Sequence, residues 1–263
     1  MLLQINNPVR AEMFSTLFQN LKLFSDNVNI SFTNEQMDIQ CIDSGQVAII
    51  EVHIGKEWFD NYELSSDGSS VVIGANTNII AKIMGTRDKS QDISLSCDDE
   101  PDTITMRFTS EDKNIFDKTL EMPLIELDME TMDIPEMEYQ AEFSLPSNIY
   151  ASLMSQLKLF GDTMDIECSE DNIILHSNSI DNGKMSTEIS IDDLNEFAID
   201  EDERLQISYS LNYMYNVSQF HKLSKDIELK FKQDYPAQLK YNLGTDNANV
   251  LFYIAPKIKD YED

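Results

Sequence analysis

The hexapeptide LKLFSD at residues 21–26 returns as LKLFGD at residues 157–162, and its flanks return with it at an offset of 136. Phe14, Leu17, Phe18 and Leu21 stand at i, i+3, i+4 and i+7, which is one apolar face of a helix. The same offset lands on Tyr150, Leu153, Met154 and Leu157, again all apolar. Downstream, Val28, Ile30 and Phe32 alternate with polar residues, and so do Met164, Ile166 and Cys168, the pattern of half-buried strands. Turns follow at TNEQ (33–36) and SEDN (169–172). A second alternating strand then runs through Met37, Ile39 and Cys41 in one copy and through Ile173, Leu175 and Ser177 in the other.

The later part of each half repeats as well. Residues 76–97 read as a helix followed by a strand through Ile93, Leu95 and Cys97. Residues 210–231 read the same way, ending on Ile227, Leu229 and Phe231. Further strands follow at TITMRF (103–108) and QLKYNL (238–243). A chain of two such halves predicts an α+β fold, two similar domains with helices gathered on one side of antiparallel strands. The length of 263 residues suits that division.

The connector is DKTLEMPLIELDMETMDIPEMEYQ (117–140), which carries Pro123, Pro135 and eight acids against one lysine. Pro135 removes a backbone donor and disfavours helix before it, so the segment is expected to be extended and to lie on the surface. Its apolar residues Met132, Ile134, Pro135 and Tyr139 read as anchors in an acidic strip.

Composition narrows the function. Hydrophobic residues make up 41% of the chain, enough for real cores. No run approaches the roughly 18 apolar residues of a membrane span, and no signal-peptide pattern follows MLLQINNPVR. Cys41, Cys97 and Cys168 lack metal or redox spacing and are expected to be reduced thiols of an intracellular protein. His53, His176 and His221 are far apart, and no nucleophile elbow, HExxH or phosphate-loop motif occurs. Acidic pairs such as Asp98 with Asp99 and Asp192 with Asp193 carry no information in so acidic a chain, and DDEPD (98–102) reads as a charged turn. The residues point to no enzyme, no metal and no cofactor.

The net charge of −29 argues, taken whole, against a polyanionic partner. Its distribution argues the opposite. The expected helices, about 9–22, 75–87, 147–158 and 209–222, should hold roughly ten acids if acids were spread evenly. They hold one, Glu12, against Arg10, Lys22, Lys82, Arg87, Lys158 and Lys222. The remaining face residues read as Ser, Thr, Asn and Gln, as in STLFQN, ANTN, SLMSQ and NVSQ. A neutral-to-basic helical face on an acidic protein suits nucleic-acid phosphate, contacted without regard to sequence.

Three stretches resemble the proliferating cell nuclear antigen family of DNA sliding clamps: FYIAPKIKD (252–260), LDMETMDIPEMEYQAEFSLPS (127–147) and CIDSGQVAIIEV (41–52). The resemblance covers essentially the full length. It implies the DNA-clamp fold, with an N-terminal domain over 1–122, a connecting linker over 123–139 and a C-terminal domain over 140–263. It implies a closed homotrimeric ring around double-stranded DNA, lined by the helices that carry the six cations. The family's subunits join head to tail through edge strands, which fall here near 115–122 and 182–190. Partners implied are DNA polymerase and other proteins with a short clamp-binding peptide, and a clamp loader, with no membrane. The peptide pocket carries over to Ile42, Val47 and Ile49, then to Met132, Ile134, Pro135 and Tyr139 of the linker, and then to Pro236, Tyr253, Ile254, Ala255 and Pro256. The implied location is the nucleus in a eukaryote, or the replication sites of an archaeal cell or a virus-infected cytoplasm.

The chain departs from the family at several points. Ser15, Thr16, Ser152, Ser155 and Gln219 stand where family members carry cations, Asp133 replaces a glycine before the linker's Ile-Pro, and Glu170 replaces the lysine that eukaryotic clamps modify with ubiquitin. An alternative within the resemblance is a subunit of a checkpoint-type ring with other partners. The intact linker pocket and the IAPKI stretch favour the replicative clamp.

Overall fold

The computed structural model describes residues 1–64, 70–98, 102–128, 131–200 and 204–258. Residues 99–101 of the expected charged turn, residues 129–130 of the linker stretch and residues 259–260 of the C-terminal stretch lie outside these residues. In the first half the elements are β1 (Leu2–Ile5), α1 (Pro8–Asn20), β2 (Asn27–Phe32), β3 (Gln36–Ile42), β4 (Ala48–Gly55), β5 (Asn61–Glu63), β6 (Val71–Asn76), α2 (Thr77–Met84), β7 (Asp92–Ser96), β8 (Thr103–Thr109) and β9 (Lys118–Pro123). In the second they are β10 (Ala141–Pro146), α3 (Ser147–Leu157), β11 (Thr163–Cys168), β12 (Asn172–Ser179), β13 (Gly183–Ser190), β14 (Glu196–Ile199), β15 (Leu205–Ser210), α4 (Leu211–Ser218), β16 (Asp226–Phe231), β17 (Ala237–Thr245) and β18 (Ala248–Ile254).

The chain forms two compact units. Unit 1 comprises Met1–Ser44, Ile50–Met132 and Leu243–Val250; unit 2 comprises Gly45–Ile49, Asp133–Asn242 and Leu251–Asp263. Unit 1 holds the antiparallel strand order β5-β1-β7-β8-β9 and the order β4-β3-β2-β6. Unit 2 holds β14-β10-β16-β17-β18 and β13-β12-β11-β15. The two orders match strand for strand, so the duplication read from the hexapeptides extends through the topology.

In unit 1, α1 starts at Asn7, whose side chain accepts from the N–H groups of Val9 (3.0 Å) and Arg10 (3.2 Å), with Pro8 in the first turn. Asn76 caps α2 through Ile79 N–H at 3.2 Å. The predicted stripe Phe14, Leu17, Phe18 and Leu21 is buried. Phe14, Phe18, Ile30, Phe32, Leu95 and Met106, drawn from α1 and from both sheets, close around a void of only about 20 Å³. Burying each such side chain contributes roughly 1.5–3 kcal/mol. In unit 2, Tyr150, Met154 and Leu157 are buried, while Leu153 is only half-buried. The Tyr150 hydroxyl donates to the Met214 carbonyl at 3.1 Å, and that of Tyr241 to Val217 at 3.2 Å, so aromatic rings join α3 and the sheet to α4 without leaving a polar tip unpaired.

The expected strands are all present, and the two expected turns are built alike. The hydroxyl of Thr33 accepts from the Glu35 and Gln36 N–H groups, and that of Ser169 from those of Asp171 and Asn172. Helices α2 and α4 are shorter than expected. Ala75 and Tyr209, at the expected helix starts, are instead buried residues of β6 and β15, and the buried Phe220 and Leu223 continue the i+3 spacing of Leu211, Met214 and Val217 beyond the end of α4.

Each unit is completed by a segment from the other half of the sequence. In unit 1, Trp58 Nε1 donates to Leu243 O (2.9 Å) and Gly55 N to Asn247 O (2.9 Å). In unit 2, Ala255 N donates to Val47 O at 2.9 Å. Strand β9 ends the five-stranded order of unit 1, and β13 ends the four-stranded order of unit 2.

The start of the connector lies along unit 1. Leu124 N donates to Asp102 O and Ile125 N to Gly74 O, both at 2.9 Å, and Asn29 Nδ2 donates to Leu127 O at 3.3 Å. Gly74 is required by this approach, since a Cβ there would lie 2.0 Å from Ile125 O. Gly74→Ala is therefore expected to destabilise the protein by about 1–3 kcal/mol and to expose the connector near Ile125 to limited proteolysis. Urea unfolding and protease mapping check both effects.

Candidate functional site

Each unit carries two of the four helices expected to face nucleic acid, and none of the four has an acidic residue in its first turn. Helix starts ordinarily gain a few tenths of a kcal/mol from such a residue, because the aligned peptide dipoles leave partial positive charge there. All four forgo it. The caps on α1 and α2 are neutral amides instead. The only acid within the four helices is Glu12, in the second turn of α1.

The six expected cations divide into two groups. Lys22, in the short 3-10 turn after α1, Lys82, in the last turn of α2, and Lys222, beyond α4, are exposed. The other three are engaged within their own units. Arg10 donates through Nη1 to Trp58 O at 2.7 Å, with its guanidinium carbon 5.7 Å from the Trp58 ring centroid. Lys158 follows α3, and its ammonium sits 4.1 Å above the Tyr215 ring.

Arg87 departs from the expectation altogether. It lies past the end of α2, its side chain is 1% exposed, and Nη1 faces Glu12 Oε2 at 3.7 Å. Burial pushes its pKa down, opposed by Glu12, Asp88 and Asp92. A guanidinium so covered presents no cation to solvent.

The polar helix face also needs correcting. Ser15 and Thr16 are buried at 3% and 6% exposure, as are Thr77 and Ser218, so these small polar residues pack inward. Ser152 and Ser155 are exposed and Gln219 is half-buried. Spacing along α1 puts neither Ser15 nor Thr16 in the apolar stripe, so the sequence period does not announce their burial.

The expected peptide-pocket residues fall in both units. In unit 1, Ile42 is half-buried and lines a groove of about 480 Å³ with Phe24, Ser44 and Leu127, and Met132 is 51% exposed. The Met132 backbone is gripped by Gln40, whose Oε1 accepts from Met132 N at 2.6 Å and whose Nε2 donates to Met132 O at 2.8 Å. In unit 2, Val47 is bonded to Ala255. Val47, Ile49, Ile134, Tyr139, Tyr253, Ala255 and Pro256 are half-buried, and Pro135 and Pro236 are exposed. Burial, then the neighbouring Tyr253 and Glu142, push the Tyr139 hydroxyl up to about 12. Ile254 is fully buried. Sequence reading missed Gln40, Asn29 and Gly74 as holders of the connector. A lone glycine inside the strand VVIGAN was the one available signal.

Other titratable groups are locked into structure. Burial pushes the Cys41 and Cys168 thiols up to about 12, far from reactive thiolates. His221 contacts the Ser218 carbonyl at 3.0 Å, and His176 Nε2 lies 3.5 Å from Asp165. Among the described residues no group of His, Cys, Asp and Glu is arranged to hold a metal ion.

His53 on β4 is different: Nδ1 lies 2.8 Å from Asp38 on β3, and Nε2 lies 3.9 Å from Glu51. Hydrogen bonds to these carboxylates raise its pKa from 6.5 to about 9. Stability from this charge is thus complete below pH 6.5 and fades as pH rises through 9. With 38% of the side chain exposed, solvent screening holds the effect to about 1 kcal/mol. His53→Gln should be less stable than the parent by that amount near pH 6 and equal to it near pH 10, as read by urea unfolding at ~pH 6 and ~pH 10.

Two family models match the chain. Residues 6–131 match the N-terminal domain of proliferating cell nuclear antigen, and residues 133–258 match its C-terminal domain. The paired units, the helices cleared of acids and the full-length pair of matches lead to one assignment: the chain belongs to the proliferating cell nuclear antigen family of sliding clamps.

Proposed function

We propose that three copies of this chain close into a ring around duplex DNA and tether DNA polymerase and other replication or repair proteins to it. The family is one of non-catalytic processivity factors, so chemistry belongs to the partners. The observation that carries the reading is the clearing of acids from the four helices of a chain with net charge −29. Threading explains why few cations suffice. A ring that encloses DNA needs little adhesion, and contacts with phosphate alone leave it free to slide.

The repeat supports a head-to-tail ring. By topology β9 corresponds to β18, and β13 to β4. The ends of β4 and β18 are tied inside each unit by the Gly55–Asn247 and Ala255–Val47 bonds. A neighbouring copy bringing its β13 to β9 would pair these two edges, and a rotation that closes after three copies leaves neither of them free. Phe116, 83% exposed just before β9, and Ile180, fully exposed just before β13, supply apolar surface for that contact. On this reading residues 1–122 and 140–263 are the two clamp domains and 123–139 the linker. Partner peptides dock on the linker and on the segments around Val47 and Tyr253, and a clamp loader opens the ring. Its place of action is the nucleus of a eukaryote, or the replication sites of an archaeal cell or an infected cytoplasm.

Retention on DNA tests the proposal. Clamp loaded on a closed circle should stay bound for many times longer than on the same DNA linearised, and blocking the linear ends should restore retention. Converting Lys22, Lys82 and Lys222 together to Gln should weaken the salt dependence of association while leaving retention on the circle at low salt. Equal dissociation from circular and linear DNA would overturn the proposal.

A further inference from the structure

Gln36, Asp38 and Gln40 stand on one face of β3, and Glu51 and His53 face them from β4. The row is joined by hydrogen bonds. Gln36 Nε2 donates to Asp38 Oδ1 (2.7 Å), Asp38 pairs with His53 (2.8 Å), and Gln40 Nε2 donates to Glu51 Oε1 (2.8 Å). At its end Gln40 makes two more bonds, to the backbone N–H and C=O of one connector residue, Met132.

The geometry of that end is that of strand pairing. A strand neighbour offers one acceptor and one donor to the N–H and C=O of a facing residue. The Gln40 amide offers the same pair to Met132. An amide side chain is symmetric in shape but not in chemistry, and a flipped amide would turn two donors into acceptors. Glu51 prevents the flip. Its side chain is only 16% exposed, and a flipped Gln40 would aim an oxygen at its carboxylate. The two Nε2 hydrogens are therefore shared, one to Glu51 and one to Met132 O, and Oε1 is left to face Met132 N–H.

We propose that Gln40 is a positioning residue for the connector: its amide, oriented by Glu51, fixes the backbone at Met132 and so sets the linker wall against which a partner peptide docks. The part concerning the peptide rests on the docking site given under Proposed function. The clasp touches backbone only, so it is indifferent to the side chain at 132. It is also the last hold on unit 1 before the chain passes at Asp133 into unit 2.

The test uses the full-length protein and two readouts. The first is hydrogen exchange at the Met132 amide with no peptide present. Gln40→Ala and Gln40→Glu should speed it by roughly three- to tenfold. Glu51→Gln, which keeps an acceptor facing Gln40, and Met132→Ala, which keeps both backbone groups, should leave it at the parental rate. The second is affinity for a synthetic peptide carrying a Gln, an aliphatic residue and two aromatics, which should weaken by a similar factor in the two Gln40 variants. Parental exchange at Met132 in Gln40→Ala would overturn the proposal. Faster exchange with unchanged peptide affinity would overturn the peptide site beside Met132 and leave the clasp standing.

Discussion

Phe14, Leu17 and Phe18 on α1, and Tyr150, Met154 and Leu157 on α3, are held out of water by the strands beneath them. Each helix has one face committed in this way, and its opposite face is free to be whatever the surroundings require. In the four helices that face carries a single carboxylate, Glu12. The cost is a lost dipole interaction at four helix starts, a few tenths of a kcal/mol each. Asn7 and Asn76 keep the first N–H groups of their helices satisfied without adding charge. The acids are displaced to strand edges, turns and the connector, where solvation makes them inexpensive and where like charges repel stray polyanions.

Exclusion of acids, more than provision of cations, distinguishes the helical surface. Arg10, Lys158 and Arg87 are tied to Trp58, Tyr215 and Glu12, which leaves Lys22, Lys82 and Lys222 exposed near the helix ends. Two of the three engaged cations sit against aromatic rings, a use that fixes the ring as much as the charge. A surface of this kind suits enclosure of a duplex better than adhesion to one, the regime in which sliding is easiest.

The fold was legible because both of its periods were strong. Strands buried on alternate residues, such as β2, β3, β11 and β16, could be read directly, and so could the stripes of α1 and α3. Strand β13 could not be read from its hydrophobic pattern. None of its residues is buried, and Met185, Thr187 and Ile189 are only half-covered. The site was less legible for a different reason. Whether Arg87 faces water or Glu12, and whether Ser15 faces outward or inward, depends on the packing of α1 against α2 and not on spacing along either. The Gln40 clasp joins residues 92 positions apart through one amide, and no periodicity announces it.

The claim on which the rest turns is that the free edges β9 and β13 close copies of this chain into a ring. Solution mass by light scattering at micromolar concentration tests it most directly. The account predicts a single species of about 91 kDa, three times the 30.2 kDa chain, with no larger open polymers. A stable 30.2 kDa monomer across the concentration range, or a series of open oligomers without a limit at three, would contradict it.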